Sequence, residues 1–274
     1  MKQIMLILCL IFFYSESLFA KNNPEIKAQA AIVFNAHNDR IIYDKNADKV
    51  MPIASITKLM TAMVVLDARL PANERIIINH ADVDKLKYTS SRLPVGSSYP
   101  RHELLRLALM SSENRAAAAL GRSYPGGTKA FVSAMNLKAK KLGMLNSRFV
   151  DATGLNRGNV ATARDLAKLV KASNHYAAIR EFSTTSKHSV SPDNKRVKLQ
   201  YVNSNSLVYN QNCTINVSKT GYLNEAGRCL VMQANISGQP VVIVLLNSWG
   251  KNTRIGDANR VKKWLENNQG RMQV

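Results

Sequence analysis

Strand-like segments stand at both ends of this chain and helical ones fill the middle. Residues 31–34 and 41–43 are β-rich runs, with His37, Asn38 and Asp39 supplying turn chemistry between them, so 28–43 reads as a hairpin. Beyond about Thr184, residues 197–209, 214–220, 229–234 and 241–246 read as strands, with a turn over 221–227. The run Val241-Val242-Ile243-Val244-Leu245-Leu246 is apolar at every position. That suits a strand buried on both faces and is far too short to cross a bilayer. Between these ends, Ile56, Leu59, Met60, Met63 and Leu66 recur at helical spacing, so a helix is expected from Ser55 to Ala68. Residues 101–110, 114–120, 128–142 and 162–172 predict further helices, and a last one is expected over 257–267. The economical fold is α+β: an antiparallel sheet built from both chain ends and covered by helices, with a mostly helical subdomain.

Composition narrows the class. The 274 residues are 46% hydrophobic and 20% charged, an ordinary globular balance, and 3 Cys cannot make a disulfide scaffold. Lys2 followed by an apolar run over 4–13, then Leu18-Phe19-Ala20, reads as a secretory signal peptide cut after Ala20, the alternative being an uncleaved anchor helix. Residues 1–20 are therefore expected to be removed, leaving 21–274 as one domain in an oxidising compartment. The formal charge is +20, but its basic residues are dispersed without a focused Arg/Lys block, which argues against nucleic acid and for a peripheral attraction to anionic envelope polymers.

Three short patterns carry the chemistry: Ser55-Ile56-Thr57-Lys58, Ser112-Glu113-Asn114 and Lys219-Thr220-Gly221. Each alone is weak. A decoy, Ser248-Trp249-Gly250-Lys251, shares the Ser-x-x-Lys spacing but has a glycine inside and no helix directly after it. Ser55 instead opens a helix, where Ser and Lys three apart share one face and the amine can reach the hydroxyl. Ser112 falls in an interruption between helices, and Lys219-Thr220-Gly221 ends a strand. The five histidines show no metal-ligand spacing, so no metal and no cofactor is expected.

In this order the three patterns form the set shared by penicillin-binding proteins and serine β-lactamases. The stretches Pro52 to Ala68, Leu107 to Ala117, Tyr124-Pro125-Gly126-Gly127, Thr162 to Leu166, Ser218 to Gly221 and Ala226 to Met232 resemble the low-molecular-mass penicillin-binding proteins. They are most similar to the D-alanyl-D-alanine endopeptidase branch, and the similarity runs over essentially the whole mature chain. The resemblance implies a periplasmic serine DD-peptidase that cleaves peptidoglycan peptide cross-links and is acylated by β-lactams. Glu181 is the only glutamate between Asn114 and Lys219, and it lacks the Glu-x-x-x-Asn pattern with which class A β-lactamases activate water. Fast hydrolysis of a β-lactam acyl-enzyme is therefore not expected. The additional domain and anchor helix that carboxypeptidase relatives commonly carry are not expected here. Other readings are a carboxypeptidase of the same family and a non-catalytic cell-wall scaffold.

The expected roles follow. Ser55 is the nucleophile, and Lys58 is the general base, depressed by burial and by the charge of Lys219. Ser112 relays a proton to the leaving amine, and Asn114 holds Lys58 and a substrate amide in register. The backbone N–H groups of Ser55 and Tyr222 hold the oxyanion. Lys219, Thr220 and Arg254 bind a carboxylate, as the resemblance implies, with Gly221 and Tyr222 on the same strand. Pairing 214–220 with 229–234 would put Cys229 across from about Thr220 and far from Cys213, so no disulfide is expected between the two cysteines.

Overall fold

The computed structural model describes residues 23–192, 198–209 and 214–268. The proposed signal peptide over 1–20 and Cys213 lie outside the described residues. In chain order the elements begin with β1 (Ala30–Asn35), β2 (Ile41–Lys45) and β3 (Met51–Pro52), then a 3-10 turn (Ala54–Ile56) running into α1 (Thr57–Asp67). Next come β4 (Arg75–Ile77), β5 (Ser98–Pro100), α2 (Arg101–Met110), α3 (Asn114–Arg122), α4 (Gly127–Lys141) and β6 (Val160–Ala161). The remainder is α5 (Ala163–Ser173), α6 (Ala177–Thr184), β7 (Lys187–Val190), β8 (Leu199–Val202), β9 (Thr214–Leu223), β10 (Gly227–Ile236), β11 (Gln239–Ser248) and α7 (Thr253–Asn267).

The main sheet has the order β2-β1-β11-β10-β9, and every pairing is antiparallel. The N-terminal hairpin thus docks on β11 near the chain's other end, as the sequence predicts. Both faces are covered, which is why β11 reads as a continuous apolar run. Ile32, Val231, Val242, Val244 and Leu246 face the core shared with the central helices. Val33, Leu230, Met232, Ile243 and Leu245 alternate onto the opposite face, against Ala258, Val261 and Leu265 of α7. Asp257, fully buried, ties the two ends together: its carboxylate accepts from Lys27 N at 2.9 Å and Ala28 N at 2.8 Å.

Helix α1 is the hub of the helical half. Every residue from Thr57 to Val65 is buried, so it is surrounded on all sides, as expected of a helix that is apolar around most of its circumference. β9, at the open edge of the sheet, lies beside the 3-10 turn that feeds it.

Several expectations are adjusted. The single strand over 197–209 is the four-residue β8 followed by a 3-10 turn at Ser206–Tyr209, where the Asn205 side chain takes over by accepting from Leu207 N at 3.1 Å. The turn over 221–227 is tighter: Gly221 to Leu223 remain in β9, and Leu223 pairs with Gly227. Helix α6 was not anticipated, having no side-chain cap to announce it. The register places Cys229 opposite Gly221, one residue from the expected partner.

Cys229 is a fully buried free thiol whose pKa burial pushes up to about 11. It is expected to resist maleimide in the folded protein and to react only after denaturation. Rapid labelling of native Cys229 would contradict this placement.

Candidate active site

The nucleophile turn is held in a strained shape by two glycines. Ala54 has φ 48, a left-handed conformation that L residues seldom adopt. Its carbonyl accepts from Thr57 Oγ1 at 2.8 Å, and Gly154 packs against the same carbonyl. A Cβ on Gly154, itself at φ +82, would stand 2.0 Å from Ala54 O, so no side chain fits there. On the other side, a Cβ on Gly221 would press on Ile53 O at 3.0 Å and Ser55 N at 3.1 Å. Edge strand β9 can therefore approach the nucleophile closely because Lys219-Thr220 is followed by glycine. Ser55 sits half-buried between these two backbones, just before α1.

One turn along, the Lys58 side chain is completely buried, with Nζ 2.9 Å from Ser55 Oγ, 2.7 Å from Asn114 Oδ1 and 2.7 Å from Thr153 O. Two of these three partners can only accept. A neutral amine has two N–H bonds, and they are taken up by Asn114 Oδ1 and Thr153 O. Its lone pair is then left for the Ser55 hydroxyl. Burial pushes the Lys58 ammonium down to about 7, against the opposing pull of the Asp151, Glu113 and Asp84 carboxylates.

The amide of Asn114 can face only one way. Thr89 donates its hydroxyl to Asp84 Oδ2 at 2.8 Å, and so accepts from Asn114 Nδ2 at 3.0 Å. Asp84 Oδ2 also accepts from Thr89 N at 2.9 Å. Asn114 Oδ1 therefore points to Lys58. On the opposite side, Asp151 orders the loop that presents Thr153 O. Its Oδ1 accepts from Thr153 N, Thr153 Oγ1 and Gly154 N at 2.7, 2.8 and 2.6 Å. Its Oδ2 accepts from Asn156 N at 2.9 Å and from Asn159 Nδ2 at 3.0 Å. Thr89, Asp84, Asp151, Thr153 and Gly154 were missed in the sequence. Only the Asp151-Ala152-Thr153-Gly154 turn pattern offered a signal.

The remaining expected residues lie at the kink between α2 and α3, along β9 and at the start of α7. Ser112, at φ 63, forms the kink between α2 and α3. Thr220 donates to Ser204 Oγ at 2.7 Å, and Arg254 Nη1 donates to Gly221 O at 3.2 Å. Tyr222 is exposed at the end of β9. Lys219 is buried, and its Nζ donates to Thr220 O at 2.9 Å. Burial, followed by the charges of Lys58 and Arg254, holds the Lys219 amine well below its usual range. Burial is the largest cause that depresses Lys58, and the two ammonium groups repel one another, so each disfavours the charged form of the other. The decoy Ser248 ends β11, buried and away from any helix start. Among the described residues, no group of three His, Cys, Asp or Glu side chains could hold a metal ion.

This arrangement has counterparts. The family model described as D-alanyl-D-alanine carboxypeptidase, peptidase S11, matches residues 17–250. The chain belongs to the S11 peptidase family. It is 48% identical over 245 residues to a D-alanyl-D-alanine endopeptidase of Escherichia coli, covering 89% of this chain and 79% of that protein. A Pseudomonas aeruginosa D-alanyl-D-alanine endopeptidase is 47% identical over the same shares. The Streptomyces K15 DD-transpeptidase structure superposes with a TM-score of 0.82 at 28% identity, covering 88% of this chain and 98% of that one. Membership of S11 makes this protein a serine-type hydrolase with the α+β transpeptidase-like fold that its motifs imply.

Two outcomes test the geometry. Acylation of this S11 enzyme by a β-lactam is expected to rise with pH through about 7, since the ammonium form of Lys58 cannot accept a proton. Below that midpoint the rate should fall about tenfold per pH unit. Thr89→Val keeps the shape but removes the acceptor that orients Asn114. It is expected to slow acylation about tenfold while the protein stays folded with a melting temperature lowered by a few degrees. A wild-type rate in that variant would show that Asn114 does not need Thr89.

Proposed function

We propose that this enzyme is a periplasmic DD-endopeptidase that hydrolyses D-alanyl cross-links in peptidoglycan through an acyl-enzyme on Ser55. In this reading residues 1–20 are the signal peptide and 21–274 form the single catalytic domain. The observation that carries it is the saturated, buried Lys58 amine, whose one unfilled direction faces the Ser55 hydroxyl at 2.9 Å.

Ser55 Oγ attacks the D-alanyl carbonyl while its proton passes to Lys58 Nζ. The backbone N–H groups of Ser55 and Tyr222 receive the developing oxyanion, and the strained Ala54 turn fixes the first of these before substrate arrives. The C–N bond then breaks: Ser112, two residues before the Lys58 partner Asn114, passes its hydroxyl proton to the departing amine and is reprotonated by the Lys58 ammonium. Water resolves the ester by the reverse proton path. Thr220, Lys219 and Arg254 flank the carboxylate of the substrate or of a β-lactam. A bound carboxylate would favour the charged form of Lys219, which burial otherwise suppresses. β9 is an edge strand of the sheet, along which a peptide can lie extended.

The endopeptidase relatives favour a cross-link over a terminal D-alanine as the substrate. Digestion of purified cross-linked muropeptide dimers with mass-spectrometric product assignment is expected to give monomers. Ser55→Ala is expected to abolish both this cleavage and covalent labelling by a fluorescent penicillin while the protein stays folded. Labelling that survives in Ser55→Ala would overturn the assignment. Release of D-alanine from pentapeptides with dimers left intact would identify a carboxypeptidase.

A further inference from the structure

A cavity of about 230 Å³ opens beside the catalytic centre on the Ser112 side. Ser112 and Asn114 form one wall, and Arg92, Glu113 and Tyr201 form the others. None of the last three has a part in the chemistry above. Tyr201 is 2% exposed, and its hydroxyl has no hydrogen-bond partner among the described residues. A buried hydroxyl is ordinarily paired, so an unpaired one at a cavity wall marks a place where an acceptor is missing. Burial and the nearby Glu113 carboxylate raise the phenol's pKa, which keeps it a donor at neutral pH.

The Arg92 guanidinium lies over the Tyr201 ring, 4.5 Å from its centroid, and is anchored through Nη1 to Gln200 O. That uses one of its five N–H donors and leaves the charge at an exposed position. Glu113 is held in place as well: its Oε1 accepts from Arg115 N at 3.1 Å, capping α3. The cavity therefore combines a cation, a buried phenol donor and a carboxylate. This set suits a peptide bearing both a carboxylate and N–H groups.

Its position decides which part of the substrate would enter. Ser112 is the group that hands a proton to the departing amine, so a cavity walled by Ser112 continues the cleft on the leaving side. In D-alanine release nothing extends that far. In cross-link cleavage the departing amine belongs to a second stem peptide, which must go somewhere.

We propose that the Arg92–Tyr201 cavity is the leaving-side subsite, receiving the carboxylate-bearing stem peptide that departs with the amine. The inference rests on the endopeptidase reading and adds to it the residues that separate large from small leaving groups. Arg92 pairs with a carboxylate of that stem. Tyr201 donates to the stem once Arg92 turns toward its ligand and uncovers the ring.

The test compares wild type, Arg92→Gln and Tyr201→Phe in three assays: cleavage of a muropeptide dimer, D-alanine release from a pentapeptide, and acylation by penicillin. Each variant is expected to lose about tenfold or more in kcat/KM on the dimer. Pentapeptide hydrolysis and penicillin acylation should stay within about twofold of wild type. Tyr201→Phe removes only a hydroxyl that has no partner, so its melting temperature should equal or exceed that of wild type. Dimer cleavage at wild-type rates in both variants would overturn the subsite, as would an equal loss in all three assays. If wild type itself leaves the dimer intact while acylating normally, the endopeptidase reading falls and takes this subsite with it.

Discussion

The rest of the site depends on one buried amine. Lys58 sits where water cannot reach it, and a lone ammonium in such a place is costly. Here the cost is met by a midpoint lowered to about 7, which makes the neutral amine accessible, rather than by a carboxylate partner. The nearest acceptors are an amide oxygen, a backbone carbonyl and the Ser55 hydroxyl, all neutral. The carboxylates of Asp84, Glu113 and Asp151 act from farther away, and burial outweighs them. A carboxylate in direct contact would hold the proton on Lys58 and disable it as a base. Placing Asp84 behind Thr89 and Asn114, and Asp151 behind Thr153, lets both acids organise the site without neutralising its base.

The scaffold exists to bring three chain segments to that amine. Helix α1 supplies Lys58 from the core, and the 3-10 turn before it supplies Ser55. The kink between α2 and α3 supplies Ser112 and Asn114. The open edge of the sheet supplies Lys219 and Thr220. Their close approach depends on missing side chains at Gly154 and Gly221, which clasp the Ala54 turn from two sides. Lys87, on the same loop as Asp84 and Thr89, pairs with Glu225 in the turn after β9 at 2.5 Å, tying the helical half to the sheet edge. Being exposed, that pair serves registration more than stability.

Much of this was legible in the sequence because it is periodic or local. The all-apolar β11, the helical spacing after Ser55 and the hairpin over 28–43 each state their surroundings directly. What stayed hidden is what depends on tertiary contact. Segment 197–209 has strand-like composition, yet Asn203 and Asn205 divert its backbone: Asn203 Oδ1 accepts from Asn205 N at 2.9 Å, and Asn205 Nδ2 reaches Ser218 Oγ at 2.8 Å. The three motifs marked Ser55, Lys58 and Asn114, which hydrogen bonds bring together, and Lys219 beside them. The groups that orient them did not announce themselves, because Thr89 and Asp84 reach Asn114 across the fold and share no spacing with it. The electrostatics of the lysine pair likewise needed the structure. Proximity of two cations was foreseeable, but the dominance of burial at Lys58 follows only from its complete enclosure.

The account stands or falls on the protonation state of Lys58. Carbon-13 NMR of protein labelled at lysine Cε, with Lys58 assigned through Lys58→Arg, follows the amine directly as pH is raised. The account predicts a Lys58 midpoint near 7, well below the free-lysine value of about 10.4. The Ser55→Ala variant should retain that depressed midpoint, since burial rather than the serine sets it. A Lys58 midpoint at the free-lysine value of about 10.4 would contradict the neutral-base geometry on which the whole site has been read.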